Sequence, residues 1–273
     1  MQLPRRFMRL AAGGLLAVSA MLTGSSRAGA QDATETRPAV KQTTAVGVDY
    51  SYAYFNGSVD RWQLAAFTVT ERSSAGSFIA KINYANRFAT SGVQVEADAY
   101  PHIADGVYAY VNAGYSASSV FPEWRFGGEI FASLPDAYEA SLGFRQLRFG
   151  GDPVTLFTGS VGKYVGNYWV SLRPYVRSKT TGTSASASIT GRRYFEDADH
   201  YIGGRVGYGS TPNDQIAPDA VARSNSFSAD VHGVRPLATD LVGSWSFGFD
   251  REVLSPGRIR TSWTAALGFK VTL

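Results

Sequence analysis

Alternation of apolar and polar residues, restarted after every short cluster of turn-forming residues, runs from Val46 to the C-terminus and constrains this chain more than any other feature. In "VGVDYSYAYF", Val46, Val48, Tyr50, Tyr52 and Tyr54 share one parity, and Gly47, Asp49, Ser51 and Ala53 share the other. Successive side chains of a strand point to opposite faces, so this period predicts a two-faced strand rather than a helix. The next segments are Arg61–Glu71, Ser77–Phe88, Val93–Tyr100, Val107–Ser116, Trp124–Ser133 and Tyr138–Phe149. After these come Val154–Tyr164, Tyr168–Ser178, Ser184–Phe195, His200–Gly209, Asn225–Arg235, Leu241–Glu252 and Ile259–Leu273, which makes fourteen. Most are close to the ~9 to 11 residues that a tilted strand needs to cross a bilayer.

Two architectures accept such strands. A soluble sandwich puts the apolar parity against a second sheet and needs crossover connections. A membrane barrel puts the apolar parity in lipid and the polar parity in a lumen, with neighbours paired in chain order. Nearly every connection here is short, which favours in-order pairing and closure. Aromatic residues also gather near segment ends, at Tyr52, Tyr54, Trp62, Phe88, Trp124, Tyr138, Tyr168 and Trp169, where interfacial girdles would lie. The expected fold is therefore all-β: an antiparallel up-and-down transmembrane β-barrel of about fourteen strands, with twelve as the alternative, and short periplasmic turns. With both termini in the periplasm, the longest connection, Ser210 to Ala222, falls on the outer side, where long loops belong.

The N-terminus carries a separate signal. Arg5, Arg6 and Arg9 precede an apolar run from Leu10 to Leu22, and Ala28-Gly29-Ala30 has the small-x-small form of a cleavage site. The expected organisation is a signal peptide over 1–30, a periplasmic tail over 31–42 and an outer-membrane barrel over 43–273. Removing Arg5, Arg6, Arg9 and Arg27 from the 26 basic residues leaves 22, against 22 acidic ones. A nucleic-acid partner is then not expected, because the basic excess belongs to the precursor. With no cysteine, neither a disulfide framework nor a thiolate nucleophile is available.

The phrases "INYANRF", "QVEADAYP", "YAYVNAGYS", "FPEWRFGGEIFASLPDAYEASLGFRQLRF", "YVGNYWVSLRPY" and "GRRYF" together resemble the YaiO family of outer-membrane β-barrel proteins, over most of Ile82 to Phe195. The resemblance implies a barrel of a Gram-negative cell envelope, often found beside polysaccharide or envelope functions, and it carries over no catalytic residue.

Parity also locates the chemistry. Glu139 and Arg145 take the lumen side of their strand, and Leu142 and Phe144 the lipid side. The same rule sends inward Lys81, Arg87, Glu96, Asp98, Arg125, Glu129, Arg173 and Arg177. Glu96, Asp98, Arg125, Glu129, Glu139, Arg145 and Arg173 form the candidate gating or selectivity cluster, held by cross-strand ion pairs. The expected function is a structural or transport role, as a narrow porin-like pore. Its partners would be outer-membrane lipid and lipopolysaccharide, the barrel assembly machinery during biogenesis, and a small solute or polysaccharide as cargo.

The alternative is a barrel enzyme acting on lipids or lipopolysaccharide, which needs a base among His102, His200 and His232. Only His232 has a serine on its strand face, Ser228, at ~13 Å by strand rise and beyond hydrogen-bond reach. No catalytic residue, cofactor or metal site is assigned; the acidic turn "EDADH" is expected to be a solvated rim.

Overall fold

The computed structural model describes residues 42–57, 59–87, 89–151, 153–179, 182–195, 197–210, 223–254 and 258–273. The expected signal peptide, most of the expected tail and nearly all of the longest connection lie outside the described residues. The strands are β1 (Thr43–Phe55), β2 (Trp62–Ser73), β3 (Gly76–Arg87), β4 (Thr90–Ala104), β5 (Val107–Tyr115), β6 (Trp124–Leu134) and β7 (Tyr138–Arg148). They continue as β8 (Val154–Val165), β9 (Tyr168–Lys179), β10 (Gly182–Tyr194), β11 (Tyr201–Gly209), β12 (Arg223–Pro236), β13 (Leu241–Leu254) and β14 (Arg258–Thr272). Fourteen strands, not twelve, make the wall.

Every strand pairs antiparallel with its neighbours in chain order, and β1 closes on β14 from Ala45↔Thr272 to Phe55↔Ser262. Closure leaves no edge with unpaired N–H and C=O groups, which the hydrocarbon layer requires of any spanning sheet. The β4–β5 and β8–β9 connections are two residues long because their residues tolerate the turn. Gly106 after Asp105 and Gly166 before Asn167 both take positive φ, 69° and 58°, as the two-residue hairpin turns matching strand twist demand.

The alternation of the sequence becomes an inside and an outside. On β7, Leu142 is 76 % exposed, whereas on the facing strand Glu129 is 2 % exposed. An isolated water-soluble domain would show the reverse. Val48, Ile82, Val95, Ile130, Phe157, Val206 and Leu267 join Leu142 on the outward face, and the buried set is dominated by polar and charged side chains. Apolar surface turned outward over the whole wall is the mark of a lipid-facing band.

Two of the expected girdle residues do not belong to the girdle. Trp62 pairs with inward-facing Ala53, and its ring lies 5.1 Å from the Arg87 guanidinium and 5.2 Å from that of Arg260. Trp169 is buried and shares the inward parity of Arg173. Position near a strand end selected them, but parity decides the face, and both tryptophans sit on the lumen parity. Tyr54, Tyr138 and Tyr168 do face outward, and Phe88 lies outside the described residues.

Candidate functional site

The polar side of the wall divides into unequal halves. On β3 to β9 it carries long charged and amide side chains, and Glu129 stands at their centre. Its Oε2 accepts a hydrogen bond from Arg145 Nη2 at 2.7 Å, and its Oε1 accepts from Arg173 Nη1 at 2.7 Å and from Ser141 Oγ at 2.5 Å. Arg145 comes from the adjacent strand, β7, but Arg173 comes from β9. The lumen-side residues between them are small, Ser141 and Gly143 on β7 and Thr158 and Ser160 on β8, so the Arg173 chain can lie across both strands. Gly143 is needed as glycine. A Cβ there would run into Gly128 O and sit 2.6 Å from Glu129 Cα, which is backbone and cannot turn away.

A second knot lies on β3 to β6. Lys81 forms an ion pair with Asp98 and sits 3.7 Å from Glu96. Asn112 Nδ2 donates to Glu96 at 2.8 Å and to Asp98 at 2.6 Å, while its Oδ1 accepts from Arg125 Nε at 2.9 Å. Asn83 adds a further bond to Glu96 at 3.1 Å. Tyr110 joins the two knots. Its hydroxyl donates to Asp98 at 3.1 Å, and the Arg145 guanidinium lies 4.6 Å from its ring. A carboxylate has acceptor sites for several donors, and charge-assisted bonds are the strong ones, so this half is held as one rigid filling.

All seven candidate residues thus stand on the lumen side, but not as one cluster. Glu129, Arg145 and Arg173 meet directly; Arg125 lies 3.9 Å from Glu96, and Asn112 ties Glu96, Asp98 and Arg125 together. Glu139 joins neither knot by a direct charge contact, accepting from Tyr108 OH at 3.3 Å beside the stacked Tyr108–Phe131 pair. Asn83, Asn112, Ser141 and Tyr110 were not among the candidate site residues, which were all charged. Their inward parity was the available signal.

On β10 to β14 small residues alternate with charged ones, among them Arg205, Asp230 and the Arg260–Glu252 pair at 2.6 Å. Ser184, Ser186, Ser188, Ser226, Ser228, Ser244 and Ser246, with Gly203, Gly207 and Gly268, take inward positions. Among them Arg205 Nε donates to Asp230 Oδ1 at 3.0 Å, and His232 Nδ1 lies 2.8 Å from Asp230 Oδ2. His232 is therefore tied to Asp230, not Ser228, and its Nε2 rests where a Gly203 side chain would be. Among the described residues no hydrogen bond joins this imidazole to Ser228, and the serine opposite it in register is Ser246 on β13. Arg192 is sandwiched between Trp169 at 5.2 Å and Tyr201 at 4.9 Å. In "EDADH", Asp199 reaches Lys270 at 3.5 Å and His200 packs on Phe195, while Glu196 lies outside the described residues.

A closed sheet with an apolar exterior and a lumen half-filled by paired charges defines a membrane β-barrel protein. The chain matches the model of the YaiO membrane beta barrel domain over residues 43–214, and it belongs to that family. No curated protein matches it. Among solved structures, an anion-selective porin from Comamonas acidovorans is similar at 11 % identity and a TM-score of 0.44, over 85 % of this chain and 99 % of that one. Pseudomonas aeruginosa OccK11 (OpdR) is similar at 10 % and 0.43, over 85 % and 96 %, and KdgM porin at 12 % and 0.42, over 82 % and 98 %.

Proposed function

We propose that the protein is an outer-membrane barrel that acts as a narrow pore for small polar solutes. The observation that carries this reading is the unequal filling of the lumen. Lys81, Glu96, Asp98, Glu129, Arg145 and Arg173 occupy one side, held against each other, while on the other serines and glycines separate the pairs Arg205–Asp230 and Arg260–Glu252. Serine side chains end after one hydroxyl, so a route through the barrel runs beside the serines of β10, β12 and β13, between these charged pairs. The paired charges then set the width of that route and the field that a solute meets. An ion in a low-dielectric wall is tolerated only where it is matched, and the network keeps its charges matched whether or not a solute is present.

Purified protein in a planar lipid bilayer tests the reading. Discrete conductance steps, small compared with those of an open water-filled porin, are expected. Removing the Glu129 charge should enlarge them and shift the reversal potential in a salt gradient toward anions, because two guanidinium groups lose their shared counter-charge. A barrel that conducts in neither the native form nor the Glu129→Gln form is not a pore.

A further inference from the structure

On β3 to β9, Lys81, Arg145 and Arg173 each pair directly with a carboxylate. The β10 to β12 wall is different. Arg205 and Arg192 both project there; Arg205 pairs with Asp230, which His232 shares, and Arg192 lies between the rings of Trp169 and Tyr201. Arg205 Nη2 and Arg192 Nε are buried with no acceptor. A buried guanidinium N–H without a partner is costly, and native structures rarely leave one without a reason.

Beside Arg205 is a small cleft, part of it open to solvent, lined by Tyr175, Ser186, Ser188, Arg205, Ser226 and Ser228. Its floor is Gly207, where a Cβ would approach Ser228 Oγ to 2.7 Å. Register explains the arrangement. Ser188, Gly207 and Ser228 face one another on β10, β11 and β12, and Arg205 is the next inward residue along β11. Two hydroxyls and one guanidinium therefore converge over a position with no side chain.

We infer that this cleft is a binding station for a small oxyanion, a carboxylate or phosphate group that docks on Arg205 with hydroxyl donors from Ser188 and Ser228. The inference deepens the pore reading and rests on it, since it names the solute class that the serine-lined route takes. The planar guanidinium fork matches the oxygen pair of either group, and serine hydroxyls donate to the remaining lone pairs. Asp250, on the β13 side of the cleft and with bonding of its own, opposes a second negative charge. The station therefore favours a singly charged group.

Equilibrium titration of the purified barrel in detergent micelles, by calorimetry, tests this without requiring conduction. Sodium phosphate and sodium succinate are the two probes, and saturable binding of at least one is expected; which one binds identifies the group. Arg205→Gln should weaken binding about tenfold, the value of one charge-assisted contact. Gly207→Val fills the cleft with no change of charge and should weaken it as well, and Asp250→Asn should tighten it. Absence of saturable binding by both probes overturns the inference. So does binding that survives both Arg205→Gln and Gly207→Val, or an Arg205→Gln effect without a Gly207→Val effect, which would reflect diffuse charge rather than a site. A barrel that binds but never conducts retains the station and loses the pore; one that conducts without saturable binding does the opposite.

Discussion

Glu129 on β6 and Arg173 on β9 meet at 2.7 Å across two intervening strands. Neighbouring strands are ~4.8 Å apart, so three steps along a flat sheet would separate the two backbones by ~14 Å. Wall curvature and the small residues on β7 and β8 bring the side-chain ends together. The contact therefore ties four strands into one unit, and the same carboxylate also holds Arg145.

Glu129→Gln should be among the most damaging conservative changes in the barrel. It keeps the size of the side chain and removes the charge that two buried arginines share. Breaking a buried pair by removing one partner costs about 3 to 5 kcal/mol, because the remaining charge is uncompensated. Urea unfolding of the barrel in lipid vesicles should show a lowered midpoint with an unchanged slope. A midpoint within error of the native value would mean that the lumen is wet enough to solvate both arginines.

Leu142→Arg places a charge on the most lipid-exposed of the leucines within the strands, 76 % exposed near the middle of β7. Arginine at the bilayer midplane costs ~2 to 4 kcal/mol on this face. Ser186→Arg adds the same side chain at an inward position and should cost less than about 1 kcal/mol. Folded yield, read from the difference in gel mobility between heated and unheated samples, should separate the two. Equal yields would show that the outward face does not meet lipid.

Gly143→Ala tests the close approach behind Glu129. The added methyl meets Gly128 O and the Glu129 backbone, so β6 and β7 must part or Glu129 must turn. Overpacking of this kind costs about 1 to 3 kcal/mol. Gly191→Ala is the matched control, with open space at its Cβ, and should stay within about 0.5 kcal/mol of native. Comparable unfolding midpoints for the two variants would remove any steric role for Gly143.

Export should remove residues 1–30, leaving Gln31 as the first residue of a protein recovered with the outer membrane. Mass spectrometry of the purified barrel reads the N-terminus directly, and membrane fractionation reads the location. Recovery in the soluble periplasmic fraction would contradict the barrel's placement in lipid.

The sequence by itself determined the wall. Period-two alternation assigns each residue to one of two faces, and short turns leave in-order pairing as the simplest arrangement, so fourteen strands and the inward parity of Glu96, Asp98, Arg125, Glu129, Glu139, Arg145 and Arg173 were legible in one dimension. The same parity, applied to Trp62 and Trp169, would have kept them out of the girdle. What it could not supply was the partner of each charge. Glu139 and Arg145 share a strand face, yet Glu139 turns to Tyr108 and Arg145 to Glu129, while Arg125 reaches Asn112. Those choices depend on register between strands, on wall curvature and on the absence of side chains at Gly143 and Gly207. A chain pattern records which way a side chain points; only the closed barrel fixes what stands opposite it, because ion pairs across a lumen are made between residues whose separation in sequence carries no distance.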